Sequence, residues 1–228
     1  GVVGCIFMGM KRAKKNGLSE DAVIDIAIWG LLAGFLGAKL LYVIVEWKRF
    51  LADPLSVLGS EGFVVYGGII AGVLAAIIYC KRKKLVFLEY FDLCSASLAL
   101  AQGFGRIGCF LAGCCYGRET TSSLGVVFPE GSLAPAGVKV LPTQLFSSAG
   151  DFGIMFVLLW HYHHRKKVGD TGFLYMLLYG IGRFGIEFLR NDNRGEVGIF
   201  STSQFISLFI IAAAILLFFW RNRNEVHK

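Results

Sequence analysis

Two arginines, Arg106 and Arg183, stand in stretches otherwise apolar enough to lie in hydrocarbon. A charged side chain costs at least about 2.5–3.5 kcal/mol at the centre of a bilayer, less near its surface, so such a group normally has a partner and a task. Two guanidinium groups from distant segments, set at one depth, make a forked site for an anion such as a phosphodiester. Glu187 and Arg190 follow Arg183 at i+4 and i+7 and would share its face on one helix. They either orient the arginine, or Arg183 and Glu187 form a structural pair while Arg190 reaches to lipid headgroups. Around Arg106 runs Gly103-Phe-Gly-Arg-Ile-Gly-Cys-Phe-Leu-Ala-Gly-Cys-Cys-Tyr-Gly117. The density of glycine, with Gly105 and Gly108 flanking the arginine and Gly117 closing the run, permits a backbone close to a ligand. No soluble strand precedes it, so its Gly-x-Gly-x-x-Gly is not a dinucleotide fingerprint, and no cofactor is expected.

Three of the six cysteines, Cys109, Cys114 and Cys115, fall in the same run. Four roles are open to them: nucleophile or lipid carrier, disulfide, metal ligand, and packing. If Cys114 serves the chemistry, a nearby arginine should make its thiol more acidic than the usual value of about 8.5. If it is structural, it should be buried or disulfide-bonded, with Cys109 as the available partner; a bond between Cys114 and Cys115 would need a strained ring. Zinc is the weakest reading, because adjacent cysteines without a nearby histidine lack the usual spacing, and no metal is expected.

The elements that must position these residues follow from composition. With 55% hydrophobic and 17% charged side chains and a mean hydropathy of +0.62, the chain is too apolar for a soluble domain. A 30 Å hydrocarbon core needs roughly 20 apolar residues as helix. That ruler finds seven spans, at 1–10, 25–45, 63–80, 85–105, 145–160, 172–189 and 205–220. Between Arg106 and Thr143 six glycines, Pro129, Pro135 and Pro142 break the pattern, so that stretch reads as an outer or re-entrant segment. The chain opens at Gly1 without a methionine and is apolar at once, so further residues of the full protein are expected before it. With neither repeats nor low-complexity sequence, residues 1–228 read as one all-α, polytopic transmembrane domain.

The net charge of +7 would point to nucleic acid in a soluble protein, but here its distribution decides otherwise. Lys11 to Lys15, Lys81 to Lys84, Arg165 to Lys167 and Arg221 to Lys228 follow alternate spans and hold 14 of the 23 Lys and Arg residues. Positive charge is retained in the cytoplasm on insertion, so that side, with the C-terminus, is expected to be cytoplasmic. Tyr66-Gly67-Gly68, Arg106, Gln144 and Arg183 then gather at the outer ends of their spans.

These residues carry a resemblance. Gly37-Ala-Lys-Leu-Leu-Tyr42, Tyr66-Gly-Gly68, Gly105-Arg-Ile-Gly108 with Gly113 and Gly117, Phe128-Pro129, Pro142-Thr-Gln-Leu145 and Tyr179-Gly-Ile-Gly-Arg-Phe-Gly-Ile-Glu-Phe-Leu-Arg190 occur in one order. The whole resembles the bacterial prolipoprotein diacylglyceryl transferases nearly from end to end. The resemblance implies a seven-helix protein of the bacterial inner membrane. It also implies transfer of diacylglycerol from phosphatidylglycerol to a cysteine thiol of an exported lipoprotein precursor, releasing glycerol phosphate. Arg106 and Arg183 match the family's two essential arginines, and Glu187 and Arg190 the residues that follow. Tyr66 stands where the family has histidine; Cys109 and Cys114 replace its signature asparagine and glutamate. A neutral tyrosine, of usual pKa about 10, is a poorer base near pH 7 than histidine.

On this reading Arg106, Arg183, Tyr66 and Cys114 are the candidate catalytic residues. Gly67, Gly68, Gly105, Gly108, Cys109, Cys115, Gly117, Gln144, Glu187 and Arg190 are the candidate substrate-binding ones. The substrates are phosphatidylglycerol, or another anionic phospholipid, and a lipoprotein precursor or other thiol acceptor, with no nucleic acid. Rival readings are a paralogue with a different acceptor, a non-catalytic phospholipid-binding subunit, and a transporter. The transporter should show inverted repeats, and the sequence has none.

Overall fold

In the computed structural model, which describes residues 1–60, 62–191, 196–197 and 199–226, the chain is mostly helical. The helices are α1 (Val2–Lys15), α2 (Glu20–Val45), α3 (Trp47–Ala52), α4 (Pro54–Gly59), α5 (Val65–Arg82), α6 (Phe87–Ala112), α7 (Thr143–His164), α8 (Asp170–Glu187) and α9 (Thr202–Val226). Each apolar span of the sequence lies largely within one of the long helices; α3 and α4 were not expected. Three helices, α2, α5 and α9, are long and apolar enough by length and composition to cross a membrane. The start of α2 is typical: Ser19 Oγ accepts from Ala22 N at 3.1 Å, and Glu20 and Asp21 occupy the first turn, where the helix dipole favours negative charge.

Two boundaries differ from expectation. Helix α6 continues through Ala112 instead of ending at Gly105, so Arg106 is helical and the irregular segment is 113–142. Glycine costs a helix only about 1 kcal/mol each, and no proline interrupts until Pro129. Helix α8 stops at Glu187, after which the N–H groups of Phe188, Leu189 and Arg190 bond carbonyls three residues back. Arg190 is therefore off the helix, and the expected face shared by Arg183, Glu187 and Arg190 loses its last member.

The chain forms two compact units, one of Gly9–Tyr90 and the other of Gly1–Met8 with Phe91–Lys228. In the first, α2 and α5 touch through glycine. A Cβ on Gly67 would lie 2.3 Å from Gly37 O, and one on Gly37 would lie 2.4 Å from Ala71 Cβ, so only bare backbone allows this approach. Tyr79 Oη donates to Asp25 at 2.6 Å across the same pair. Yet α2 leaves Phe35, Leu36 and Leu40 exposed, and of its most apolar stretch only 6% is buried within the protein. In water such a face would exceed what a monomer tolerates, whereas in lipid it meets its like. The protein is a membrane protein.

In the other unit, Ala96 and Ala99 of α6 pack on Met155 and Leu158 of α7, with Met8 and Leu174 against them. The polar tie beneath this core is Asp92, wholly buried, which accepts from Gly169 N at 2.6 Å, from Gly172 N at 2.7 Å and from Arg165 Nη1. Arg221 likewise pairs with Asp170. Arg165 and Arg221 of the basic clusters thus anchor helix ends; Lys228 of the last cluster lies outside the described residues. Removing one partner of a buried pair leaves an uncompensated charge, so Asp92→Ala should destabilise the fold by about 3–5 kcal/mol, read as a lower Tm in detergent. A Tm within a degree of the parent would mean that this tie contributes nothing.

The segment after α6 returns through β1 (Val126–Val127), paired antiparallel with β2 (Lys139–Val140), over a small core of Phe128, Ala134 and Val140. A second short ladder, β3 (Glu196–Val197) with β4 (Phe200–Ser201), precedes α9.

Candidate active site

Arg106 projects from the last two turns of α6 and Arg183 from the last turn and a half of α8, and both line one cavity of about 210 Å³. Between them α7 supplies Ser147, Gly150 and Asp151, and α8 adds Tyr179, Gly182 and Gly185. Glycines line the open side of this space: a Cβ at Gly150, Gly182 or Gly185 would meet nothing within 4 Å. Arg183 Nη2 donates to Ser203 Oγ at 2.9 Å, and Nη1 lies 3.2 Å from Glu187 Oε2, an ion pair not aligned as a hydrogen bond. Among the described residues Arg106 makes neither hydrogen bond nor ion pair, although Asp151, Tyr179, Cys109 and Cys115 all lie within its electrostatic reach. Asp151 is 6% exposed and equally without a hydrogen bond or ion pair among the described residues. Partly desolvated charges that line one void, close enough to feel one another but with hydrogen-bonding capacity left over, are what a charged ligand with a removable proton would satisfy.

The site thus brings together Arg106, Arg183 and Glu187. Tyr66, by contrast, stands half-buried in the first turn of α5, in the other unit. Gly67 and Gly68 pack against Gly37 and Gly34 of α2, whose carbonyls a Cβ would strike. Gly105 and Gly108 have nothing within 4 Å of a Cβ, so packing does not account for them.

Gly117 is different. A Cβ there would meet Leu189 O at 2.7 Å and Leu141 Cβ at 2.8 Å, because the segment is threaded between two others. Gly117 N bonds Leu141 O, Arg118 N bonds Leu189 O, and Gly117 bridges antiparallel to Arg190. Arg190 therefore helps to fasten this strand-like segment beside the end of α8. Gln144, almost wholly buried, donates Nε2 to Cys114 O at 2.7 Å, and Thr143 Oγ1 donates to Cys115 O at 2.8 Å. Both side chains position the cysteine turn and are absent from the cavity lining.

The cysteines form no disulfide. Burial pushes the Cys114 thiol up to about 12, and the neighbouring Cys115 and Cys109 act in the same direction, opposite to the acidic thiol that a nucleophilic role would call for. Cys114 Sγ instead donates to Cys109 O at 3.6 Å.

Two members of the cavity escaped the sequence reading. Asp151 is a lone carboxylate inside an apolar span, the same signal that singled out Arg106, but it lacked a sequence neighbour of opposite charge. Tyr179, one turn before Arg183, lay inside a quoted motif but was not singled out.

Fold and site together describe a helical membrane protein in which charges from three helices converge on one anion-sized cavity. Residues 1–220 match the prolipoprotein diacylglyceryl transferase family, and the chain belongs to it. It is 50% identical over 220 residues to phosphatidylglycerol–prolipoprotein diacylglyceryl transferase 2 of Clostridium perfringens, covering 96% of this chain and 86% of the relative. To the corresponding enzyme of Clostridium tetani it is 48% identical, covering 96% and 88%. To that of Finegoldia magna it is 37% identical, covering 95% and 86%.

Proposed function

We propose that this chain transfers a diacylglyceryl group from phosphatidylglycerol to a thiol acceptor, the cysteine of an exported lipoprotein precursor. The supporting observation is the convergence of Arg106 and Arg183 on one cavity beside the carboxylate of Asp151, which has no hydrogen bond or ion pair among the described residues. The arginines grip the phosphate of the lipid, Glu187 holds Arg183 in place, and Tyr179 offers a phenol to the same headgroup. The acceptor sulfur attacks the glyceryl carbon that bears the phosphate ester. The carbon–oxygen bond breaks, its electron pair leaves on glycerol phosphate, and a thioether forms. The two guanidinium groups stabilise the negative charge as it concentrates on the departing oxygen. Asp151 takes the thiol proton, a task for which Tyr66 and Cys114 are poorer bases. The resemblance implies that Tyr66 serves the acceptor, and the end of α6 with Gly105, Gly108 and Cys109, followed by the turn of Cys115 and Gly117, borders the lipid.

Purified protein in bilayers of phosphatidylglycerol, given a peptide bearing a lipoprotein-type cysteine, should yield that peptide with its thiol carrying diacylglycerol, detected by mass spectrometry. Phospholipid binding without any modified peptide would leave only the non-catalytic reading.

The setting in this reading is a single transmembrane domain of the bacterial inner membrane, with seven spans α1, α2, α5, α6, α7, α8 and α9. The four basic clusters lie at the C-terminal ends of α1, α5, α7 and α9, which alternation of the seven puts on one side. Tags at Lys15, Lys83, Lys166 and the C-terminus should report cytoplasmic, and one at Ser122 external. An external Lys83 would overturn this orientation.

A further inference from the structure

The transfer reaction gives the three thiols at the end of α6 no chemical part, although their turn borders the lipid. Cys109 lies in the last turn of that helix, Gly113 and Cys115 adopt φ of +68° and +63°, and the reversal returns Cys114 and Cys115 to Cys109. The three sulfurs lie within 4.8 Å of one another, and all three residues are half-buried. A left-handed residue with a side chain costs on the order of 1 kcal/mol or more, and persists where surrounding structure enforces it. Here the enforcement is explicit: Gln144 and Thr143 hold the carbonyls of Cys114 and Cys115, and Cys114 N bonds Cys109 O at 3.1 Å.

We propose that Cys109, Cys114 and Cys115 form a binding site for one thiophilic ion of the zinc class. Sulfur ligands sit about 2.3 Å from zinc, which in tetrahedral geometry sets them about 3.8 Å apart. The cluster is within about 1 Å of that spacing, a difference that side-chain rotation can close. Binding replaces three S–H protons, which pass to water, with three sulfur–metal bonds; a divalent ion with three thiolates carries one net negative charge. The Arg106 guanidinium, in electrostatic reach of Cys109 and Cys115, complements it. Three protein ligands leave a fourth position for water or an external thiol. The sequence argument against zinc rested on spacing along the chain, and it is the left-handed turn that defeats that argument, since it folds neighbours at i, i+5 and i+6 onto one point.

The test uses the full chain, reduced, stripped with chelator and dialysed against Zn²⁺, with Cd²⁺ as a spectroscopic probe of sulfur ligation. About one ion per chain should remain, with a sulfur-to-metal charge-transfer band for Cd²⁺. Cys109→Ser, Cys114→Ser and Cys115→Ser should each weaken binding at least about tenfold, and Cys94→Ser should not. An alanine series, checked for folding by gel filtration, guards against a serine variant that merely unfolds. The proposal fails if the chain holds no stoichiometric ion, if binding survives loss of two of the three cysteines, or if thiol titration of the unreduced protein finds a disulfide within the cluster. None of these readouts depends on transfer activity, so metal binding and the transferase reading fail separately.

Discussion

Arg183→Lys should lower diacylglyceryl transfer by about two to three orders of magnitude while the protein stays folded and inserted. The lysine keeps the positive charge and can still face Glu187, so a purely electrostatic role would survive the change. What it loses is the planar fork, one arm of which is held by Ser203 Oγ while the other, 3.2 Å from Glu187 Oε2 but not hydrogen-bonded to it, keeps a donor for the headgroup. Losing one donor aimed at developing charge typically costs 10²–10³ in rate. Arg106→Ala should cost a similar factor. Because both guanidinium groups would act on one phosphate, the double variant should lose less than the product of the two single losses. The check is initial transfer rate at saturating phosphatidylglycerol, normalised to folded protein. Retention of a fifth or more of the activity by Arg183→Lys would remove the fork from the mechanism, and strictly multiplicative losses would separate the two arginines.

Asp151→Asn should depress transfer by about 10²–10⁴, the range for loss of a positioned proton acceptor, while phosphatidylglycerol binding holds or tightens. The two effects diverge for a physical reason. The substitution removes a negative charge from a cavity that must also admit a phosphate, which helps the anion, and it removes the one carboxylate that lines that cavity, which harms the chemistry. A merely structural aspartate would not split the two, since a damaged cavity binds and reacts less well together. Rate and lipid binding are therefore measured on the same preparation, and a parallel fall in both, or an unchanged rate, would take Asp151 out of the proton path.

Much of the site was legible in the chain because hydrocarbon makes charge conspicuous. Arg106, Arg183 and Glu187 stood out by residue type alone, and the cavity gathers the two arginines with the glutamate beside them. The same test applied to the span 145–160 would have found Asp151. Glycine was less informative, since the letter does not say whether bare backbone serves a ligand or a neighbour. Gly67 and Gly68 press on α2 and Gly117 on Leu189 and Leu141, whereas Gly150, Gly182 and Gly185 leave room in the cavity.

What the sequence determined by itself is the membrane setting, the helices and the family, because burial in lipid imposes length and apolarity on each span locally, before any contact between spans exists. Helix ends were less secure: α6 outran its glycines and α8 stopped short of Arg190, since the final turns depend on what the emerging chain meets. Only the tertiary structure decided which polar groups face one another. Asp151 meets the arginines through the packing of α7 against α6 and α8, the Cys114 thiol is pushed up by burial that no local pattern encodes, and three sulfurs distant in helical register converge because Gly113 and Cys115 turn left-handed. These are consequences of long-range contacts, whose geometry is set by how helices pack and not by the order of residues within any one of them.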